Sequence, residues 1–494
     1  MTAVAERRTI KDRVAASSFW VIVGSGASNI TSFVVFAVLA RYLGPRDFGL
    51  VAFASIFVDL VRLASRAGVP QALVQRSDWD DEVASNALWL NVAFAGALAL
   101  AFGGGLGLIL AYTYDPSLIW VMPVLASTLV IDAGRAAHES KLQREFNYKA
   151  LAERESTASV LGGLVGVVMA VLGFGMTALV ASRVATSIIQ TLATWSKVHW
   201  IPRLTLSWTH IKPMIGFGVH LVGADLFSQI TRRVPELVIG VFLDPAAVGI
   251  YRIGARAIIT LNMAVIRPLN ASTLSAFSRV RETGSVAQAY CRITRACAFL
   301  TTPVYLGAAA ISQDFIVVCF GEKWAQSGTV MMMMSLIGGA VSLNNFSNTA
   351  LIAVGRTRLV FYSSVSGLVS SVILALCLVK FGVVAVAVGF TVQAYAVNPF
   401  ILFLLKRGLG LAPREALRGV IAPTAAAALM MVILLVLKHE ALMGLAPVTR
   451  LAIMMPTGAV LYVLGLLTFG RRYLLEMRDE LMPYVKRFRE RFAR

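Results

Sequence analysis

The sequence predicts an all-α integral membrane protein of about fourteen transmembrane helices, arranged as two six-helix lobes and two further C-terminal helices. Three observations predict it. Only 14% of the 494 residues are charged while 57% are hydrophobic, and the mean hydropathy is +0.74. Apolar stretches of spanning length recur along the whole chain. The Lys and Arg between them are biased to one side of the membrane. A soluble domain carries about a quarter charged residues, so most of this chain must meet lipid or other apolar helices instead of water.

A spanning helix needs about 20 predominantly apolar residues. The first six such stretches are 17–40, 48–67, 83–112, 117–137, 156–175 and 177–195. The next six are 214–243, 248–274, 295–320, 329–354, 359–380 and 383–405, followed by 417–437 and 449–469. Arg232, Arg233 and Pro235 inside the seventh stretch predict a kink or a split there. Arg7, Arg8, Lys11 and Arg13 precede a first stretch too long for a signal-peptide core, with no A-x-A site, so it is read as a span.

With the N-terminus inside, the inner loops carry Arg66 and Arg76, then Lys141, Arg144 and Lys149, then Lys197, Arg203 and Lys212. Later inner loops carry Arg279, Arg281 and Arg292, Arg356 and Arg358, and Lys406, Arg407 and Arg414. The outer loops hold Arg41, Arg46, Lys323, Lys380, Lys438 and Arg450. Counting both termini, inside exceeds outside by roughly five to one, a strong positive-inside bias. The expected organisation is a cytoplasmic N-terminus at 1–16, a first lobe at 17–200 and a second at 213–406. A helix pair at 417–470 and a cytoplasmic tail at 471–494 follow. In that tail Leu474, Met477, Leu481, Val485, Phe488 and Phe492 share one helical face amid arginine and lysine, which suits the anionic inner leaflet.

An internal repeat supports two lobes. Residues 43–50 (LGPRDFGL) recur as 243–250 (LDPAAVGI), in each case between the first and second spans of a six-span block. The expected local role is a tight Pro/Gly turn. An even number of spans per block relates the halves by an axis along the membrane normal, a construction transporters use with the substrate at the repeat interface.

The formal charge of +19 does not signify nucleic-acid binding, because the basic residues are spread in short runs between apolar stretches. Cys291, Cys297, Cys319 and Cys377 show neither a C-x-x-C pair nor His at ligand spacing, so no metal or cofactor is expected. No nucleotide-binding G-x-x-x-x-G-K-[ST] is present. The glycines of 103–107 lack a nearby Lys and read as a close helix-packing surface. Short outer loops disfavour a glycosyltransferase.

The informative residues are charges inside the spans. An arginine at mid-bilayer costs roughly 2.5–3.5 kcal/mol even on the mild insertion scale. Arg183, Arg232, Arg233, Arg252 and Arg256 are therefore expected to line a polar interior, while Arg267 sits near the cytoplasmic end. Two readings stand side by side. The arginines pair with Glu236, Asp225 or Asp244 and hold helices together, or they line a cationic cavity for an anion with phosphate oxygens. Gln229, Asn262, Asn344, Asn345 and Gln393, with Ser228, Asn270, Asn348 and Asn398, suit sugar hydroxyls. Asp59 and Arg62, one turn apart, read as an internal pair.

Several motifs then fall in order. They are 40–49 (ARYLGPRDFG), 142–146 (LQREF), Ile239-Gly240 with 249–251 (GIY), 320–324 (FGEKW) and 355–358 (GRTR). On these the chain resembles the oligosaccharide flippases, the polysaccharide-transport branch of the multidrug/oligosaccharidyl-lipid/polysaccharide exporter superfamily, and within it the exopolysaccharide exporters. It departs from their pattern at Pro235, where an acidic residue is usual, and at Ser275, where proline is usual. The resemblance implies a non-enzymatic transporter with a two-lobed, MATE-like fold and a central cationic cavity. It would sit in the bacterial inner membrane with both termini cytoplasmic. The implied substrate is an undecaprenyl-diphosphate-linked oligosaccharide, with membrane lipids and the pathway's polymerase and glycosyltransferases as partners. The alternatives are a drug/cation antiporter on the same fold, which wants net acidic groups in the cavity, and a non-transporting scaffold.

Overall fold

The computed structural model describes residues 26, 28–65, 73–74, 79–204, 229–283 and 285–469. The predicted N-terminus 1–16, the first parts of the stretches 17–40 and 214–243 with Asp225 and Ser228, and the amphipathic tail 471–494 lie outside the described residues. So do the side chains of Arg267, Asn270 and Ser275. Packing divides the chain into two compact units, Met1–Gly249 and Ile250–Arg494.

The first unit contains α1 (Ser28–Tyr42), α2 (Pro45–Ser65), α3 (Asp81–Thr113), α4 (Leu118–Ala133), α5 (Ala136–Arg144), α6 (Tyr148–Val171), α7 (Thr177–Trp195) and α8 (229–242). The helix α9 (Pro245–Thr283) begins in the first unit and continues into the second. The second unit adds α10 (Val286–Phe320), α11 (Ala325–Ser335), α12 (Gly338–Ala353), α13 (Thr357–Leu378), α14 (Val383–Leu409), α15 (Pro413–Leu442) and α16 (Pro447–Phe469). Helix falls on the described part of every predicted stretch. Seven helices are long and apolar enough to cross a membrane, or up to nine if each bent pair is one span. The helices outside that set include those with the internal charges: α2 with Asp59 and Arg62, α7 with Arg183, and α9 with Arg252 and Arg256.

Helix starts follow from local chemistry. Asp80 accepts hydrogen bonds from the amides of Glu82 and Val83 at the head of α3. Asn147 caps α6 through Ala150 N, and Ser285 caps α10 through Gln288 N. The glycine run packs as expected at two of its positions. A Cβ on Gly103 or Gly107 would meet Ala126 Cβ at 2.7 Å or Met122 Cβ at 2.9 Å on α4, whereas Gly104 and Gly105 face open space. Around them residues Ala99–Leu106 wind as a π-helix.

The eight-residue repeat has a different role from the one expected. Pro45 and Pro245 each open a helix at its first position, where a missing N–H costs nothing. The first helical hydrogen bonds run from Phe48 N to Gly44 O and from Val248 N to Asp244 O. Gly49 and Gly249 lie inside the helices, not in the turn, and the two copies of the motif cross there. A Cβ on Gly49 would fall 1.6 Å from Pro245 O, and one on Gly249 would fall 2.5 Å from Pro45 O. The glycine is needed for backbone approach between the copies.

The fourth predicted span of each block is bent. α4 and α5 meet at 41°, and the helix Glu322–Ser335, which contains α11, meets α12 at 57°. Each bend frees carbonyls that lipid cannot satisfy. In the first unit, α7 supplies the donors: Thr191 Oγ1 to Ile131 O at 3.2 Å and Trp195 Nε1 to Gly134 O at 3.1 Å. In the second unit, α14 donates at the same place: Thr391 Oγ1 to Met333 O at 2.5 Å, a carbonyl that also accepts from Leu336 N, and Tyr395 Oη to Leu336 O at 2.8 Å. A Thr and an aromatic donor one turn apart thus clasp the bend in both units, 191/195 in one and 391/395 in the other.

A second correspondence closes the helices that follow the bends. Asn147 N bonds Leu142 O and Phe146 N bonds Gln143 O, with Phe146 at φ 57. Arg356 N bonds Leu351 O and Gly355 N bonds Ile352 O, with Gly355 at φ 77. Both are Schellman closures.

Two outcomes follow from this packing. Gly49→Ala, which drives a methyl into a backbone carbonyl, lowers the stability of detergent-purified protein by about 1–3 kcal/mol. Gly44→Ala, with nothing within 4 Å of the new Cβ, stays within about 0.5 kcal/mol; thermal unfolding compares them. Tyr395→Phe removes the donor to Leu336 O and costs about 0.5–2 kcal/mol, measured in the same assay.

Candidate functional site

Three helices of the first unit bring opposite charges together. α2 contributes Asp59 and Arg62, α7 contributes Arg183, and α8 contributes Arg233 and Glu236. Arg183 addresses Asp59 with both terminal nitrogens, at 3.3 and 3.5 Å. Arg233 reaches Asp59 at 3.1 Å and Glu236 at 3.1 Å. Arg62 lies 3.8 Å from Asp59 and 3.1 Å from Asp132 on α4, and it also donates to Thr128 Oγ1. Arg62 and Asp59 are therefore not the closed pair that their spacing suggests. Arg62 is a bridge whose shorter contact is on another helix.

The chain of charges continues. Asp132 also accepts from Arg135 and from Ser187 Oγ. Arg135 approaches Glu139, which pairs with Arg154 on α6 at 3.1 Å. Exposure separates this chain into two halves. The side chains of Arg62, Arg183 and Arg233 are 28%, 35% and 26% exposed, whereas those of Asp132, Arg135 and Arg154 are 7%, 4% and 6% exposed. The buried half is a truss between helices. The end around Asp59 is less covered by protein.

The other predicted residues are placed as follows in each unit. Arg232 turns to Gln229 Oε1, at 3.2 and 3.0 Å, on an exposed side of α8. In the second unit, Arg252 and Arg256 are one turn apart on α9, both half-buried and both engaged in interactions. Asn262 is exposed on the same helix. Asn344 donates to Ala394 O at 3.3 Å, and its own amide oxygen is buried without a hydrogen-bond partner among the described residues. Gln393 donates to Gly367 O at 2.8 Å, and Asn345 is half-buried. Among the described residues no group of three or more His, Cys, Asp or Glu is placed to hold a metal ion.

Asp59 and Asp132 were not among the residues expected to form the site. The available signal was a carboxylate and a guanidinium inside an apolar helix, which identifies polar surroundings but not which helix supplies the partner.

Known proteins resemble the chain at both levels. A family model described as polysaccharide biosynthesis protein matches residues 38–329. The succinoglycan biosynthesis transport protein ExoT of Rhizobium meliloti is 24% identical over 97% of each chain. The teichuronic acid biosynthesis protein TuaB of Bacillus subtilis is 24% identical over 81% of this chain and 83% of its own. The lipopolysaccharide biosynthesis protein WzxC of Escherichia coli is 22% identical over 69% of each. Among solved structures, the inward closed lipid II flippase MurJ superposes with a TM-score of 0.70 at 15% identity, covering 92% of this chain and 99% of its own. An inward-facing multidrug MATE transporter of the MOP superfamily gives 0.58 at 14% identity, covering 84% and 96%. The fold is the one these two transporters share, the family model spans more than half of the sequence, and the chain is a multi-pass membrane protein that belongs to the polysaccharide biosynthesis protein family.

Proposed function

We propose that this protein is a secondary-type transporter that flips an undecaprenyl-diphosphate-linked oligosaccharide, the repeat unit of an exopolysaccharide or lipopolysaccharide. Transport runs from the cytoplasmic to the periplasmic leaflet of the bacterial inner membrane by alternating access, with both termini cytoplasmic. The observation that carries the reading is the half-open arginine cluster of Arg183 and Arg233 inside a membrane-embedded helical unit. Burying these charges in a membrane protein is costly unless they serve a polar space. Guanidinium forks match phosphate oxygens. In the first unit Arg232 adds a further guanidinium and Gln229 an amide; in the second unit Arg252 and Arg256 supply guanidinium groups suited to phosphate, and Asn262, Asn344, Asn345 and Gln393 amides suited to sugar hydroxyls. Relatives named for succinoglycan transport and lipopolysaccharide biosynthesis, and the fold of a lipid II flippase, support the same substrate class. The chemistry asked of the protein is binding and reorientation: no bond is made or broken.

The fourteen predicted spans include α2, α7 and α9, each of which carries internal charges. A drug/cation antiporter on the same fold would present carboxylates to its substrate, whereas here the carboxylates at the half-open end are already engaged by arginine.

Deleting the gene should cause lipid-linked oligosaccharide to accumulate and the surface polymer to disappear; unchanged levels of both would refute the assignment. Arg252→Ala with Arg256→Ala should reduce polymer export at least about tenfold, the loss of roughly one charge-assisted contact, while membrane insertion is retained. Quantified surface polymer against immunoblotted membrane protein gives the comparison.

A further inference from the structure

The cluster that we assign to substrate phosphate already contains an anion. We propose that Asp59 is a resident counterion which the substrate's phosphate displaces, and that Arg62 is a third arginine of that site. This inference rests on the flippase reading above and names how its anion site works.

The geometry points to exchange. One carboxylate is shared by three guanidinium groups, at 3.1 Å from Arg233, 3.3 Å from Arg183 and 3.8 Å from Arg62. The contact with Arg233 has ordinary hydrogen-bond length, whereas those with Arg183 and Arg62 are longer than the roughly 2.7–2.9 Å of a well-fitted charge-assisted bond. A phosphate or diphosphate offers more oxygens and more charge at the same place. Among the described residues Asp59 is the only carboxylate at ion-pair distance from Arg183.

Two of the arginines keep their position when Asp59 lets go. Arg233 remains on Glu236, and Arg62 remains on Asp132 and Thr128. Asp132 is itself fixed by Arg135 and Ser187. The site is thus preorganised by a buried truss, and only its half-open member, Asp59, needs to be replaced. Asp59 is one-fifth exposed, so protein does not seal its carboxylate in place.

A purely structural strut predicts the opposite sign for one measurement. If Asp59 only positions the arginines, its loss weakens anion binding. If it competes with the anion, its loss strengthens binding. The test is calorimetric titration of inorganic pyrophosphate into the full chain in lipid nanodiscs, with thermal unfolding and size-exclusion profiles reporting that each variant is folded. Asp59→Asn is expected to bind pyrophosphate at least about fivefold tighter than the parent, the lower end of a typical coupling between sites. Asp59→Glu, which keeps the charge, stays within about twofold of the parent. Arg62→Gln weakens binding at least about fivefold.

Equal or weaker pyrophosphate binding by folded Asp59→Asn would overturn the counterion role while leaving the anion site standing. Should Asp59→Asn not fold, Arg62→Gln decides: unchanged affinity removes Arg62 from the site and the proposal with it. Absence of pyrophosphate binding by both the parent and Asp59→Asn would defeat the anion site itself, and so both readings.

Discussion

An ionised side chain within hydrocarbon has only other protein groups to neutralise it, and the first unit is organised by that fact. Asp59 and Asp132 each collect arginines from other helices, so that α2, α4, α5, α6, α7 and α8 are tied into one chain of charges. Removing one member of such a chain leaves its partners buried and uncompensated, which is far more costly than losing a surface pair. The chain ends at Asp59, where protein covers the charges less completely. Exposure is thus graded along one network.

The same requirement governs the backbone. A bent helix is tolerated in a membrane only if its freed carbonyls find donors. The Thr and aromatic pairs at 191/195 and 391/395 provide them at both bends. Trp serves in one case and Tyr in the other because each carries a hydrogen-bond donor on an otherwise apolar ring. The correspondence extends to the Schellman closures at Phe146 and Gly355. There a left-handed Phe accepts strain that a glycine avoids, so similar backbone geometry is encoded by dissimilar residues.

These details show why some features were legible beforehand and others were not. Helix positions could be read because hydropathy and length are local properties, and residues 177–195 were bounded as the structure bounds them. The motif at 43–50 and 243–250 announced a repeat. Its glycine was assigned to a turn because a sequence does not reveal that Pro245 O would stand 1.6 Å from a Cβ on Gly49. Arg183 and Arg233 were marked by the cost of burying them. Their common partner was not marked, since Asp59 had an adjacent arginine one turn away that accounted for it locally.

Sequence alone therefore determined that this is a helical membrane protein, where its apolar stretches lie, and which charges are too expensive to face lipid. Each of these depends on the free energy of a residue or a window in a given solvent. Tertiary structure decided which carboxylate those arginines share, where helices bend and what clasps the bends, and that the two motif copies cross at their glycines. Ion pairs and backbone contacts form between residues far apart in the chain, and their choice of partner depends on which helices pack together.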